Sequence, residues 1–216
     1  MLEKNRILAV PIVIAIFAGC ASSASRVKSE GCGDLTPLQD AGTARVCVRH
    51  ALLPESYESA MLDRPRIEAK PVGSSSSIFV GRPPAKTYPV GPEQKKDLAR
   101  LTEEIFASSL SDLRLEQAGA AGPGVLLVRA RLLDVYFETP TDPESGAGYL
   151  LERRARATLV VELIDSRSDT LLLRAYGDRA TEPPGDAESQ LKQLAFLWGA
   201  LLVESIGHLR GIQAAA

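Results

Sequence analysis

Apolar and polar positions alternate most regularly between residues 151 and 179. The alternation predicts two antiparallel strands, 151–164 and 170–179, joined by a turn over 165–169. One face of this hairpin is expected to contact the core, because every second residue along each strand is apolar and these residues share a face. That face is predicted to carry Ala155, Ala157, Leu159, Val161, Leu163, Leu171, Leu173 and Ala175.

Other segments of the chain have weaker strand patterns. Residues 125–137 form the longest strand candidate, and 66–72 alternate like a first strand whose Pro71 is typical of a sheet edge. A short strand is expected at 78–80. Residues 34–63 show only scattered apolar positions, so we expect loops and short irregular elements there.

Two segments have the spacing of amphipathic helices. The first is predicted over 93–113, with Pro92 at the first helical position and an apolar stripe that includes Leu98 and Leu110. The second should begin after Asp186 as N-cap and end near residue 209, with Trp198 as its largest core residue.

The order of these elements is strand, helix, three strands, helix. Two amphipathic helices and a sheet with one apolar face bury that face by packing together. The sequence therefore predicts an α+β fold, a two-layer sandwich of a mostly antiparallel sheet packed by two amphipathic helices. A parallel pairing should involve the strand at residue 66, because only its connection contains a helix.

The N-terminus has the pattern of a bacterial lipoprotein signal. Twelve mostly apolar residues, 7–18, follow Lys4 and Arg6, and small residues precede Cys20. A membrane-spanning helix needs about 20 apolar residues, so this run fits a cleaved signal instead. We expect a lipoprotein signal peptide over 1–19, a lipidated tether over 20–33 and a single domain over 34–212.

Lipidation at Cys20 would anchor the protein in a membrane. The alternative is an ordinary secretory signal cleaved near Ala21 or Ala24. Alanine directly after the cysteine resembles the pattern of lipoproteins in the outer membrane that face the periplasm. The expected location is therefore the cell envelope, with the membrane as a partner through the lipid, which includes palmitate.

Composition limits the remaining possibilities. Without residues 1–19 the chain has 25 − 2 = 23 basic and 27 − 1 = 26 acidic side chains, a net charge of about −3. Proteins that bind nucleic acid need a concentrated basic surface, so we expect no nucleic-acid partner. The even pair Cys32 and Cys47 predicts a disulfide in an oxidising compartment; two reduced thiols are the alternative.

Few residues suited to catalysis or metal binding occur. His50 and His208 are the only histidines, and they are expected at the surface or near a helix end. No zinc-protease, serine-hydrolase, P-loop or dinucleotide-binding motif is present. We therefore expect no enzyme activity, no cofactor and no metal; a hydrolase would need a cleft with converging polar groups.

One cluster of charges is a candidate binding surface. If the apolar positions of the strands face the helices, several arginines share the outer sheet face, and guanidinium groups bind phosphate and carboxylate well. Lipid headgroups or an acidic envelope protein could bind there; alternatively the arginines pair with Glu152, Glu162 and Asp178. The candidate residues are Arg129, Arg131, Arg154, Arg156 and Arg174.

The chain resembles a family of Gram-negative lipoproteins known as domain of unknown function 3313. The similar parts are the signal ending at Cys20, residues 122–126 leading a strand, 161–165 before the hairpin turn, and Trp198, over roughly residues 60–210. The resemblance implies a lipid-anchored α+β envelope protein and no catalytic residues. The element order is also similar, more distantly, to auxiliary lipoproteins of envelope ABC transport systems.

These observations predict a non-enzymatic, lipid-anchored envelope protein that binds a partner or has a structural role. The alternative is an accessory lipoprotein of an envelope lipid transport system. A fully packed core would favour the first function, and an apolar groove between the helices and the sheet would favour the second.

Overall fold

The structure, a computed structural model, describes residues 31–38, 44–49, 57–70, 87–138, 153–182 and 185–215, with side chains through residue 211. The chain from Gly31 onward forms one compact unit. The predicted signal peptide, Cys20, His50 and the short strand expected at 78–80 lie outside the described residues.

The described residues form nine strands and two helices. The strands are β1 (Thr36–Pro37), β2 (Arg45–Val48), β3 (Ser59–Leu62), β4 (Arg66–Ala69), β5 (Thr87–Pro89), β6 (Glu116–Gln117), β7 (Val125–Glu138), β8 (Arg154–Asp165) and β9 (Thr170–Ala180). The helices are α1 (Pro92–Asp112) and α2 (Ala187–Ala215).

All nine strands belong to one open, mixed sheet. Its order is β1-β2-β9-β8-β7-β3-β6, and β4 and β5 also pair with β7. Strands β3 and β4 run parallel to β7, whereas β8 is antiparallel to both β7 and β9. The parallel pairing of β4 with β7 confirms the prediction for the strand at Arg66. The connection from β4 to β7 contains α1, as a parallel pairing requires a long crossover. The fold is therefore α+β.

The expectation of irregular structure over residues 34–63 is wrong. This region contains β1, β2 and β3, and β2 lies between β1 and β9 with Val46 and Val48 buried. Four residues are too few for alternation to predict a strand from sequence. The pairing with β9 supplies the hydrogen bonds that the local pattern could not indicate.

The hairpin of β8 and β9 has the predicted alternation except at its turn end. Val161 pairs with Ala175, and Leu163 with Leu173, on the core face. A bulge then shifts the register, so that Leu172 is buried in the core cluster and Leu171 is only partly buried. The prediction for Leu171 is wrong because a bulge inserts one unpaired residue and reverses the alternation beyond it.

The core lies between the helices and the sheet. The rings of Phe106 on α1 and Trp198 on α2 meet edge to face, with centroids 5.5 Å apart. The Trp198 Nε1–H donates a hydrogen bond to the carbonyl oxygen of Val160, at 3.3 Å, so this fully buried indole has its polar partner. Trp198 therefore connects both helices to β8, the central strand.

The helix starts predicted from sequence are confirmed. Pro92 is the first residue of α1, and the Gly91 N–H donates to Gln94 Oε1 at 2.9 Å. Before α2, Asp186 Oδ1 accepts hydrogen bonds from the N–H groups of Glu188 and Ser189, both at 3.0 Å. The side chains of Gln94 and Asp186 thus accept hydrogen bonds from backbone N–H groups at the helix starts.

Candidate functional site

Cross-strand pairing defines one sheet face that points away from the core cluster. Arg129 lies opposite Glu162, which lies opposite Arg174, and Arg131, Val160 and Tyr176 form the neighbouring row. Directly paired residues share a face. We call this the outer sheet face; it contains the candidate arginines together with Arg45 and Cys47 of β2, which pair with Tyr176 and Arg174.

Glu162 is the centre of the charges on this face. Its carboxylate is 2.8 Å from Arg174 Nη2 and 3.4 Å from Arg131 Nη2, and only 8% of its side chain is exposed. Burying a carboxylate this deeply is costly unless such partners are present. Arg129 pairs instead with Asp63, which follows β3, at 3.4 Å. These three arginines therefore lie close together, each with a carboxylate partner.

Arg154 and Arg156 form a second group at the other end of β8. Arg156 Nε is 2.7 Å from Glu138 Oε1, and Arg154 Nη1 is 3.4 Å from Glu182 Oε1. Burial, followed by the charge of Glu138, raises the pKa of the neighbouring Tyr136 above its usual value. The five candidate arginines thus form two ion-paired groups. Three carboxylates were predicted to pair with these arginines. Among the described residues, Glu162 pairs with Arg131 and Arg174, and Asp178 forms no ion pair with any of the five; Glu152 lies outside the described residues.

Two further arginines were not predicted from the sequence: Arg45 in β2 and Arg49, which directly follows β2. Arg45 is exposed, with its guanidinium carbon 5.7 Å from the centroid of the Tyr176 ring. The backbone N–H of Arg49 donates to Leu172 O, and its Nε donates to Leu171 O at 3.0 Å. Residues 45–49 form too short a run to predict a strand from sequence.

The start of the described chain is bonded to the same face. The sulfurs of Cys32 and Cys47 form a disulfide with a Cα–Cα distance of 5.4 Å. One residue earlier, the carbonyl oxygen of Gly31 accepts a hydrogen bond from Arg174 Nη1 at 3.0 Å. The Leu35 N–H then closes a turn onto Cys32 O at 2.9 Å. The chain therefore enters the domain over β2 and β9.

Three further observations bear on chemistry and on contact with a membrane. Among the described residues, no group of three or more His, Cys, Asp or Glu side chains could hold a metal ion. His208, on the last turns of α2, has Nε2 at 3.7 Å from Glu204 Oε1, one helical turn away. In the part of the chain that the structure describes, no helix is long and apolar enough to cross a membrane.

A depression of about 520 Å³ lies between α1 and the strand edge formed by β3 and β6. Apolar side chains such as Leu62, Ala107 and Leu110 line it together with Arg114 and Glu116. It continues toward a second depression whose walls include Glu103 and Glu104. The lining combines apolar and charged side chains. The depression lies beside α1 rather than between the two helices and the sheet.

Comparisons with known proteins do not identify the chain. No protein-family model and no curated protein matches it. Among solved structures, a PelC dodecamer from Paraburkholderia phytofirmans is 15% identical, covers 76% of this chain and 98% of its own, and has a TM-score of 0.40. A putative neuraminyllactose-binding hemagglutinin homologue from Helicobacter pylori is 11% identical, covers 78% and 100%, and has a TM-score of 0.39. Similarity this low indicates no function.

Proposed function

We propose that this protein is a lipid-anchored cell-envelope protein, attached through Cys20, with a non-enzymatic role in binding a partner or in envelope structure. We place it in the outer membrane, facing the periplasm. The observation that carries the proposal is the Cys32–Cys47 disulfide, which lies shortly after a signal-like segment ending at Cys20. Structural disulfides persist in oxidising compartments such as the periplasm and are rare in the cytosol.

The close packing of side chains between the helices and the sheet supports a binding or structural role over a transport role. Trp198, Phe106, Leu98 and Leu194 are fully buried between the helices and the sheet. A carrier of a lipid would need an apolar cavity in that space. The depression beside α1 has acidic and basic walls, which suit a lipid tail poorly. The transport-accessory function is therefore the second candidate.

We also propose the finer architecture of a two-layer sandwich with a mostly antiparallel sheet. The described strands make five antiparallel and three parallel pairings, which supports it. The buried positions of α1 and α2 contact the same core cluster as alternate residues of β8. Membership of the family of domain of unknown function 3313 is part of the same proposal.

The test is in-cell crosslinking of the full chain in a Gram-negative host fed with labelled palmitate. The wild type should carry the label, sediment with membranes and crosslink reproducibly to one or a few envelope components. Cys20→Ser should lose the label and those crosslinks, because only a lipidated protein is held at the membrane surface. The matched control Ser22→Ala, two residues away, should keep both.

Each part of the proposal can fail separately. An unlabelled wild type would overturn the anchor. A labelled, folded wild type that crosslinks to nothing would overturn the partner-binding role and leave the structural one.

A further inference from the structure

The point where the chain enters the domain limits how far one surface can lie from the membrane. Gly31 is bound by Arg174 and Cys32 by Cys47, so the described part of the chain begins on β2 and β9. If Cys20 is lipidated, Gly31 is 31 − 20 = 11 residues along the chain from the lipid. Eleven residues span at most about 35–40 Å when extended. The surface at β2 and β9 is therefore held within about 40 Å of the lipid.

The charges on the surface at β2 suit an anionic ligand. Arg45 and Arg49 lie on either side of Cys47, and within the described residues neither has a carboxylate within 4.0 Å. Strand alternation directs Arg45 to the side of Cys47, the outer sheet face, and Arg49 directly follows the last residue of β2. Among the described residues, Glu162 and Asp34 are the acidic side chains near them; Glu162 is bound to Arg131 and Arg174, and Asp34 is exposed.

The local structure holds these side chains where a ligand could meet them. The ring of Tyr176 supports the Arg45 guanidinium, and the Leu171 carbonyl fixes Arg49 through Nε. Fixing Nε leaves the two terminal nitrogens of Arg49 available as a fork for a phosphate. A preorganised arginine loses less side-chain entropy on binding than a mobile one.

We propose that the β2 surface, defined as Arg45, Arg49 and the Cys32–Cys47 disulfide between them, docks on anionic phospholipid headgroups and orients the domain on the bilayer. The ligand is the headgroup phosphate. Basic residues next to a membrane anchor are attracted to anionic lipid, and each contributes to attachment. This inference rests on the proposed lipid anchor and adds which face of the domain meets the membrane.

The experiment is arginine footprinting with phenylglyoxal on the natural lipidated protein, read by mass spectrometry. The protein is placed in vesicles of phosphatidylcholine alone or with phosphatidylglycerol. Arg64 and Arg66 are internal controls, because both are exposed and lie at the other side of the sheet, next to β7. That side is four strand spacings from β2, about 19 Å.

Docking predicts that phosphatidylglycerol lowers modification of Arg45 and Arg49 by about five-fold, the factor expected for the attraction of one arginine to anionic lipid. Arg64 and Arg66 should react equally in both vesicles. High salt should restore the reactivity of Arg45, because screening weakens the attraction. Arg49→Ala should reduce the protection of Arg45, whereas Arg64→Ala should not.

The outcomes separate this inference from the anchor on which it rests. The N-terminal peptide is weighed first, and a peptide without acyl chains on Cys20 overturns the anchor. An acylated protein whose Arg45 stays fully reactive on phosphatidylglycerol overturns the docking surface alone. Equal protection of Arg45 and Arg64 also overturns it. Protection in native envelope membranes but not on vesicles identifies a protein partner instead and overturns the lipid surface.

Discussion

Asp165 holds the turn between β8 and β9. Its Oδ1 accepts hydrogen bonds from the N–H and Oγ–H of Ser168, both at 2.8 Å, and from the Arg167 N–H at 3.1 Å. Its Oδ2 accepts one from the Tyr57 hydroxyl at 3.0 Å. Partial burial of Asp165 opposes its charge, but the hydrogen bonds from Ser168, Tyr57 and Arg167 outweigh burial and lower its pKa below the usual value.

This lowered pKa predicts a pH-dependent contribution to stability. Because the folded-state pKa lies below the unfolded value of about 4, the contribution is complete above that value and is lost as the pH falls through the folded-state pKa. Asp165→Asn should therefore lower Tm at pH 7, and the difference from wild type should shrink below pH 4. Thermal melts between pH 7 and 3 measure it.

Asp169→Asn, at an exposed position of the same turn, should leave Tm nearly unchanged at both pH values, since asparagine tolerates the positive φ of 53° there. A difference for Asp165→Asn that stays constant with pH would contradict this account.

At the scale of elements, α1 and α2 approach closely at Gly199. A methyl group added to Gly199 would lie 2.5 Å from Ile105 Cγ2, and this branched side chain has little freedom to move away. Gly207, eight residues later on the same helix, faces open space. The two glycines therefore separate helix propensity from packing between helices.

Gly199→Ala should destabilise the domain by about 1–2 kcal/mol, because the overlap outweighs the gain of about 1 kcal/mol that alanine brings to a helix. Gly207→Ala should stabilise it by up to about 1 kcal/mol. Urea unfolding followed by the fluorescence of the single tryptophan, Trp198, gives both values. Stabilisation by both substitutions would mean that the helices are packed less closely here.

At the scale of the whole molecule, the disulfide contributes to the free energy of unfolding because it joins the start of the domain to the sheet. Cys32 and Cys47 are 15 residues apart, and closing a loop of that length stabilises by about 3 kcal/mol in the chain-entropy model. The double variant Cys32→Ala with Cys47→Ala should lose about that much free energy of unfolding. Denaturation of wild type with reductant should give the same loss.

The double variant should also free the chain from β2 and increase proteolysis before residue 36. Unchanged denaturation midpoints in the variant and in the reduced wild type would contradict a structural role for this bond.

The sequence alone determined the long elements. The β8–β9 hairpin, β7 and both helices follow from periods that repeat over ten or more residues, and Pro92 and Asp186 follow from the chemistry of helix starts. Such signals are local, so they need no knowledge of neighbouring strands. The arginines of the outer sheet face were predicted to share that face for the same reason, since alternation fixes which way a side chain points.

Tertiary structure decided everything that depends on contacts between distant residues. Short strands such as β2 and β3 exist because β9 and β7 supply hydrogen-bond partners. The bulge near Leu172 buries Leu172 in the core in place of Leu171. The partners of the arginines were equally non-local: Asp63 and Glu182 come from outside β8 and β9. Pairing energies depend on distances of a few ångströms, and only the folded chain sets these distances.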